Sequence, residues 1–339
     1  MTPLRVGLVG FGLAGRVFHG PLLDADPRFR IAAIVTGDPG RRSQAERLHP
    51  DATVVGDADA MLGMRLDLVV VASPPATHVP LAQRCLDAGL PVVVDKPFCP
   101  TAAQAEELCE RADRLGLMLT VFQNRRWDSD FLTLQRLVES GALGDVRRFE
   151  SRFERWKPAD TKAWRVADPA EAGGVVYDLG THLVDQAIHL FGPVVDMHGE
   201  LTSHGGTAAP DDGFLSLLHA HGVRSHLFAS SVVGQVGPRF RVLGSESAFT
   251  SWGLDVQETQ LADGLRPGDA GYGVAAPDRW PTVGLDGATR RVEPSTGRYD
   301  AFYDGVARAV LEGAAPPVDP RDAVATIAVI EEAHRRFRS

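Results

Sequence analysis

Apolar residues in the first third of the chain come in short, nearly continuous runs, at 4–9, 29–35, 66–73, 91–95 and 117–122. Runs apolar at successive positions, rather than alternate ones, predict strands buried on both faces. Between them, residues 14–23, 41–48, 77–88 and 101–115 carry helical spacing. Asp38 and Pro39 read as cap and first-turn residues of the second helix, Gly89 closes the third, and Thr101 and Gly116 cap and stop the fourth. Strand, helix, strand, helix predicts an α/β fold with a doubly wound parallel sheet.

After residue 122 the rhythm changes. Residues 131–140 read as a helix ending at Gly141, 147–156 as an exposed alternating strand, and 177–191 as a helix. From 194 to 249 strands and turns follow without helices; 214–218 and 224–233 predict antiparallel neighbours around Gly222. Residues 264–296 are rich in Gly and Pro and predict a loop, and 299–313 and 321–337 predict two closing helices. Two domains are expected, 1–122 with the parallel sheet and 123–339 as an α+β unit with an open, mostly antiparallel sheet.

A length of 339 residues suits about two domains. With 44 % apolar and 23 % charged residues the composition is globular. Thirty-five Lys and Arg against 44 Asp and Glu leave a net charge of −9 and a pI near 5.7, which argues against nucleic acid or anionic membrane as partners. Cys85, Cys99 and Cys109 form no C-x-x-C pair, so neither a disulfide framework nor a thiolate zinc site is expected. No leader-like stretch opens the sequence and no apolar run reaches the ~18 residues of a membrane span, so the expectation is a soluble cytoplasmic protein.

The first turn, Gly10-Phe11-Gly12-Leu13-Ala14-Gly15, is G-x-G-x-x-G between a strand and a helix. In that context the glycines allow a tight turn and close backbone approach, and the helix N-terminus offers free N–H groups to a pyrophosphate. The domain 1–122 is therefore read as a Rossmann dinucleotide-binding domain. The end of the second strand, where a carboxylate would hold a ribose 2′-hydroxyl, is Thr36, with Arg41 and Arg42 nearby. A missing carboxylate beside two guanidiniums favours the 2′-phosphate of NADP; NAD is the alternative if Asp38 reaches the ribose.

Two segments carry the chemistry. Asp95-Lys96-Pro97 sets a lysine past a strand end, at the edge of the ligand crevice. In the segment 173–186, Asp178 and His182 are i, i+4 neighbours on the expected helix, so the carboxylate could orient the imidazole as a general base. Asp185 with His189, and His219 with His221, offer metal-ligand atoms; one helix or one bare pair makes a poor cage, so no metal is expected and a solvated or interface-facing strand is the reading for the second pair.

Taken in order, Gly10 to Gly15, Asp95-Lys96-Pro97 and Asp178-Leu179-Gly180-Thr181-His182 resemble the Gfo/Idh/MocA oxidoreductase family over nearly the whole chain, with Asp95 where that family usually has Glu. Segments 12–22, 124–133 and 177–186 look most like its bacterial NADP-dependent scyllo-inositol 2-dehydrogenase branch, in which Thr-Ser-Arg commonly follows strand two; here it is Thr36-Gly37-Asp38. The resemblance implies hydride transfer between nicotinamide and a ring carbon of a cyclic polyol or sugar, with 123–339 serving substrate binding and oligomerisation. It implies that Lys96 hydrogen-bonds the reacting oxygen, His182 exchanges its proton and Asp178 orients His182. Ser73, Pro74 and His78 would lie over the cofactor, together with Asp95, and Trp164-Arg165 would reach the nicotinamide end. Asn124, Arg125, Trp127 and Tyr299 are substrate-pocket candidates, with packing of the domain seam as the competing role for Trp127 and Tyr299. A homodimer or higher homo-oligomer through the second sheet is expected. A reductase of another keto-sugar and a dinucleotide-binding regulator without turnover are the competing functions.

Overall fold

The structure is a computed structural model and describes residues 2–158 and 163–337. Six parallel strands form the first sheet: β1 (Leu4–Val9), β2 (Phe29–Val35), β3 (Thr53–Val55), β4 (Leu68–Val71), β5 (Val92–Val94) and β6 (Leu119–Val121). They run in the order β3-β2-β1-β4-β5-β6. Every residue of β4 and β5 is buried, as their valine-rich runs predict for strands covered on both faces. The helix Pro39–Leu48 starts where Asp38 accepts a hydrogen bond from Arg41 N. The helix Ala102–Leu115 starts where Thr101 accepts from Gln104 N and stops at left-handed Gly116.

Eight strands make the second sheet: β7 (Val146–Glu154), β8 (Val194–Thr202), β9 (Asp212–His219), β10 (Arg224–Ser230), β11 (Phe240–Gly244), β12 (Ala248–Ser251), β13 (Thr282–Gly284) and β14 (Arg290–Arg291), in the order β14-β13-β12-β11-β7-β10-β9-β8. Only the β7–β10 pair is parallel. The α/β class, the Rossmann sheet and the mostly antiparallel second sheet are as the sequence predicts. The strand read as exposed, β7, is internal to its sheet. Phe149, Ser151 and Phe153 point to the core, while Arg148, Arg152 and Arg241 gather around Glu150 on the other face. That charged face mimics a solvated strand in the sequence.

Several short elements escaped the periodicity. Strand β3 has three residues and no fully buried position, and the helices Ala58–Leu62 and Gln257–Ala262 are five and six residues long, too short to show a period. The stretch read as a loop, 264–296, holds the short strands β13 and β14. The two closing helices cover the parallel sheet. Phe302, Tyr303 and Val306 of Asp300–Glu312 pack with Leu8, Phe29 and Phe122, while Pro320–Phe337 packs against Ala102–Leu115, the helix Thr181–Phe191 and β8.

Candidate functional site

A cleft of about 420 Å³ opens where the C-terminal ends of β1, β4 and β5 meet Thr181–Phe191 and the end of β7. At its first end Gly10 has φ +100, and a Cβ there would sit 2.4 Å from the Ala72 carbonyl oxygen, so only glycine fits. Gly10, Gly12, Leu13 and Ala14 line the cleft, and a one-turn π-helix (Ala14–His19) leads away from it. This glycine cradle at a helix start is suited to a dinucleotide pyrophosphate. Phe11 and Gly15 stand behind it. Phe11 is buried against His49, and a Cβ on Gly15 would meet the Gly10 carbonyl at 2.1 Å.

Of the residues after β2, Arg41 alone borders the cleft. Arg42 turns the other way and donates to the Val54 carbonyl at 2.8 Å, because β3 supplies an acceptor there. Thr36 is buried, and its hydroxyl accepts from Asp38 N at 3.4 Å. Asp38 stays on the helix it caps, as its place before Pro39 predicts.

Ser73, Pro74 and Asp95 border the cleft, but His78 does not. His78 is fully buried, its ring nitrogens bonded to the carbonyls of Pro97 and Ser73 at 2.9 Å each. It ties the loop after β4 to the loop after β5, and so supports the cleft from behind. Asp95 accepts from Lys96 N at 2.8 Å and lies 3.9 Å from His19 Nε2. Burial raises the Asp95 pKa, and it lowers that of His19, whose Nδ1 meets the Tyr303 hydroxyl at 2.7 Å, to about 4.

Lys96 crosses the cleft to the second unit. Its Nζ donates to the carbonyl and to the carboxylate of Asp178, at 2.8 and 3.1 Å. Asp178 is held in a π-helical turn, Val176–Gly180, just ahead of the helix Thr181–Phe191. Its other carboxylate oxygen lies 3.2 Å from Arg155 Nη2 and 2.9 Å from Arg165 Nε. Burial alone would raise its pKa; the ammonium of Lys96 and the guanidiniums of Arg165 and Arg155 outweigh burial and hold it at about 2.

The expected bond between Asp178 and His182 is absent. Both residues line the cleft, but the π-turn breaks the i, i+4 spacing of a regular helix, and three cations already occupy the carboxylate. His182 instead lies against Phe153, with ring centroids 6.1 Å apart and planes at 30°, and its buried Nδ1 has no hydrogen-bond partner. Burial, reinforced by Lys96, Arg125 and Arg239, holds its pKa well below 6.5, so the ring is neutral and able to accept a proton.

Trp164 and Arg165 line the cleft, as do Asn124 and Arg125. Arg125 is buried, pairs with Glu258 at 3.0 Å and with Asp128 at 3.5 Å, and stacks on Phe153. Trp127 and Tyr299 pack the seam instead: Trp127 meets Phe302 edge-on, and fully buried Tyr299 donates to Asp128 at 2.6 Å. Phe18, Phe122, Phe153, Arg155 and Glu258 also line the cleft, and no spacing or motif in the sequence marks them as site residues. Arg155 follows an arginine-rich strand in which no position stood out, and Glu258 sits on a helix too short to read. No group of three or more His, Cys, Asp or Glu among the described residues could hold a metal. Asp185 is paired with Arg126 at 2.6 Å. His219, read as a solvated or interface position, is buried and bonded through both nitrogens to Gly192 and Ser225.

Comparison with known proteins adds a lineage to this geometry. The family model "Oxidoreductase family, NAD-binding Rossmann fold" of the Gfo/Idh/MocA group matches residues 4–123, and its "C-terminal alpha/beta domain" partner matches 135–339. The scyllo-inositol 2-dehydrogenase (NADP(+)) IolW of Bacillus subtilis is 34 % identical over 97 % of this chain and 92 % of its own. The D-glucoside 3-dehydrogenase of Escherichia coli is 30 % identical over 56 % of this chain and 55 % of its own. Among solved structures, Bacillus subtilis YvaA superposes with a TM-score of 0.91 at 33 % identity, covering 98 % of this chain and 95 % of that one. No described helix is long and apolar enough to cross a membrane.

Proposed function

The chain belongs to the Gfo/Idh/MocA oxidoreductase family and is a nicotinamide-dependent dehydrogenase; on that premise we propose that it oxidises a ring hydroxyl, or reduces the matching ketone, of a cyclic polyol or sugar resembling scyllo-inositol. One observation carries the reading. Lys96 and His182, a fixed cation and a neutral base, share a wall of the cleft that begins at the Gly10–Ala14 turn. The glycine turn, Ser73, Pro74 and Asp95 would hold the cofactor, and Arg41 would favour the 2′-phosphate of NADP over NAD. The bound nicotinamide supplies or accepts the hydride. Lys96 hydrogen-bonds the reacting oxygen and stabilises its negative charge as it develops. His182 takes the hydroxyl proton in oxidation and returns it in reduction. Asp178 holds Lys96 rather than His182, and Arg125 and Asn124 flank the substrate.

The outer face of the second sheet carries Phe214 and Phe228, 5.0 Å apart and half-buried, with Arg152 over Phe228; these support self-association through that face. Three buried free thiols suit a reducing compartment such as the cytoplasm. The test is absorbance at 340 nm with NADP or NAD across inositols, aldoses and their keto forms. Turnover with a polyol, abolished in Lys96→Ala while cofactor affinity persists, is the expected result. Cofactor binding without turnover on the whole panel would overturn the reading.

A further inference from the structure

Two polar side chains in the cleft wall keep hydrogen-bonding capacity that the chemistry of Lys96 and His182 does not use. Asn124 is 5 % exposed, lines the cleft and makes no side-chain hydrogen bond among the described residues. Its amide therefore opens on the cleft, and a buried amide is satisfied only by a partner that enters there. Glu258 lines the same space from the second unit. Its Oε2 accepts from Arg125 Nη2 at 3.0 Å, and its Oε1 has no partner among the described residues.

Both groups are fixed relative to His182. Gln186, one helical turn beyond His182, donates through Nε2 to the Arg125 carbonyl at 2.7 Å, and Arg126 pairs with Asp185 at 2.6 Å. These contacts tie the turn Asn124–Trp127 to the helix that carries the base. The same turn holds the helix Gln257–Ala262, because buried Gln257 donates to the Trp127 carbonyl at 3.1 Å and accepts from Tyr299 N at 2.8 Å. That helix also packs on Ala14–His19 of the first unit. Phe153 links the two ends of the wall. The Arg125 guanidinium carbon is 4.7 Å from its ring centroid, and His182 stacks against the same ring.

A carboxylate oxygen only accepts, a guanidinium only donates and an amide does both. Beside an aromatic ring, that set matches adjacent hydroxyls on a saturated ring, since a hydroxyl both donates and accepts. An anionic substituent would instead meet the charge of Glu258. Building on the dehydrogenase reading, we infer that Glu258 and Asn124 form a subsite for two neighbouring hydroxyls remote from the reacting carbon, Glu258 accepting from one and Asn124 bonding the other. Glu258 is then a specificity residue, and the substrate class is a neutral ring compound with a vicinal diol besides the reacting hydroxyl.

The test uses the full chain loaded with NADPH. Calorimetry measures scyllo-inositol, D-glucose and the 2-, 3- and 4-deoxy forms of D-glucose, on the protein and on Glu258→Gln. Scyllo-inositol or D-glucose should bind, and Glu258→Gln should weaken that probe about ten-fold, the loss of one hydrogen bond to a charged acceptor. NADPH affinity should stay unchanged. Where D-glucose binds, one deoxy form should bind about ten-fold more weakly than D-glucose and lose nothing further in Glu258→Gln, because the hydroxyl and the carboxylate belong to one contact. The inference is overturned if neither neutral probe binds, if the bound probe ignores Glu258→Gln, if NADPH affinity falls by the same factor, or if every form of D-glucose weakens alike, as a purely structural role would require. Binding that obeys the prediction without any change at 340 nm across the polyol panel would uphold the subsite and sink the dehydrogenase reading. Turnover of a panel polyol with a KM indifferent to Glu258→Gln would do the reverse.

Discussion

Replacing Asp178 by Asn removes one charge and almost no volume. Three cations lie within 3.2 Å of its carboxylate oxygens. At an effective dielectric of 20, each such contact is worth about 5 kcal/mol of gross attraction. Burial cancels most of it. The carboxyl titrates at about 2 instead of 3.8, which leaves about 2 kcal/mol net in favour of the charged form. The amide keeps the carbonyl acceptor for Lys96, because that bond is to the backbone, but it weakens the ammonium's second anchor and takes a carboxylate charge away from Arg155 and Arg165. We expect roughly 2–3 kcal/mol of lost stability, seen as a few degrees in Tm. Displacing Lys96 from the reacting oxygen should lower kcat by about 10²-fold, the effect of an ångström-scale misplacement. The informative readout is the pH profile of kcat/KM. Asp178 makes no hydrogen bond to His182, so the limb that reports His182 should keep its shape and move at most slightly to lower pH, because a negative charge that favours the imidazolium is lost. A pH limb moved by more than one unit with Lys96→Ala left nearly as active as the parent would refute the assignment of Asp178 to the lysine.

Three further outcomes follow from the same geometry. Arg41→Ala should raise KM for NADP about ten-fold and leave KM for NAD unchanged, since Arg41 is the guanidinium of its pair that borders the cleft; equal effects on both cofactors would remove it from phosphate recognition. His19, His78 and His182 are buried with pKa values below 6.5, so the unfolded chain binds protons that the folded chain refuses. Their contribution to stability should be complete above about pH 6.5 and fall on acidification, by up to about 1.4 kcal/mol per pH unit for each histidine, continuing for His19 down to about 4; a His19→Gln variant whose urea midpoint changes between pH 7.5 and 5 just as the parent's does would contradict this. Gly10→Ala should destabilise by at least about 2 kcal/mol, because its Cβ would press on the Ala72 carbonyl oxygen at a positive φ; a denaturation midpoint equal to that of the parent would show that the turn relaxes freely.

Much of the fold could be read from local patterns because local physics decides those parts. The valines of β4 and β5 are apolar at successive positions because both faces are covered, and Asp38, Thr101 and Gly116 cap helices through contacts spanning a few residues. The elements that escaped are short, such as β3, or disguised by charges that pair across strands, such as β7 around Glu150. In the site the sequence indicates residue types but not partners. Lys96 and Asp178 are 82 positions apart, and no spacing rule pairs them. Arg42 and His78 sit beside residues that do line the cleft, yet their side chains turn to backbone acceptors that only the folded chain supplies.

The same point explains how Lys96 and His182 would divide the work proposed for them. A regular helix would have put Asp178 one turn before His182 and drawn a proton onto the imidazole. The π-turn instead gives the carboxylate to Lys96 and the arginines. His182 is left among Lys96, Arg125 and Arg239 with no carboxylate of its own, and burial, reinforced by these cations, keeps it neutral. A neutral ring is what a base needs before it can accept a hydroxyl proton, and an anchored ammonium is what an oxygen needs as its charge grows. Had one carboxylate served both, it would have raised the proton affinity of the histidine while loosening its hold on the lysine. Placing Asp178 on Lys96 therefore keeps the base empty and the cation fixed in the same pocket.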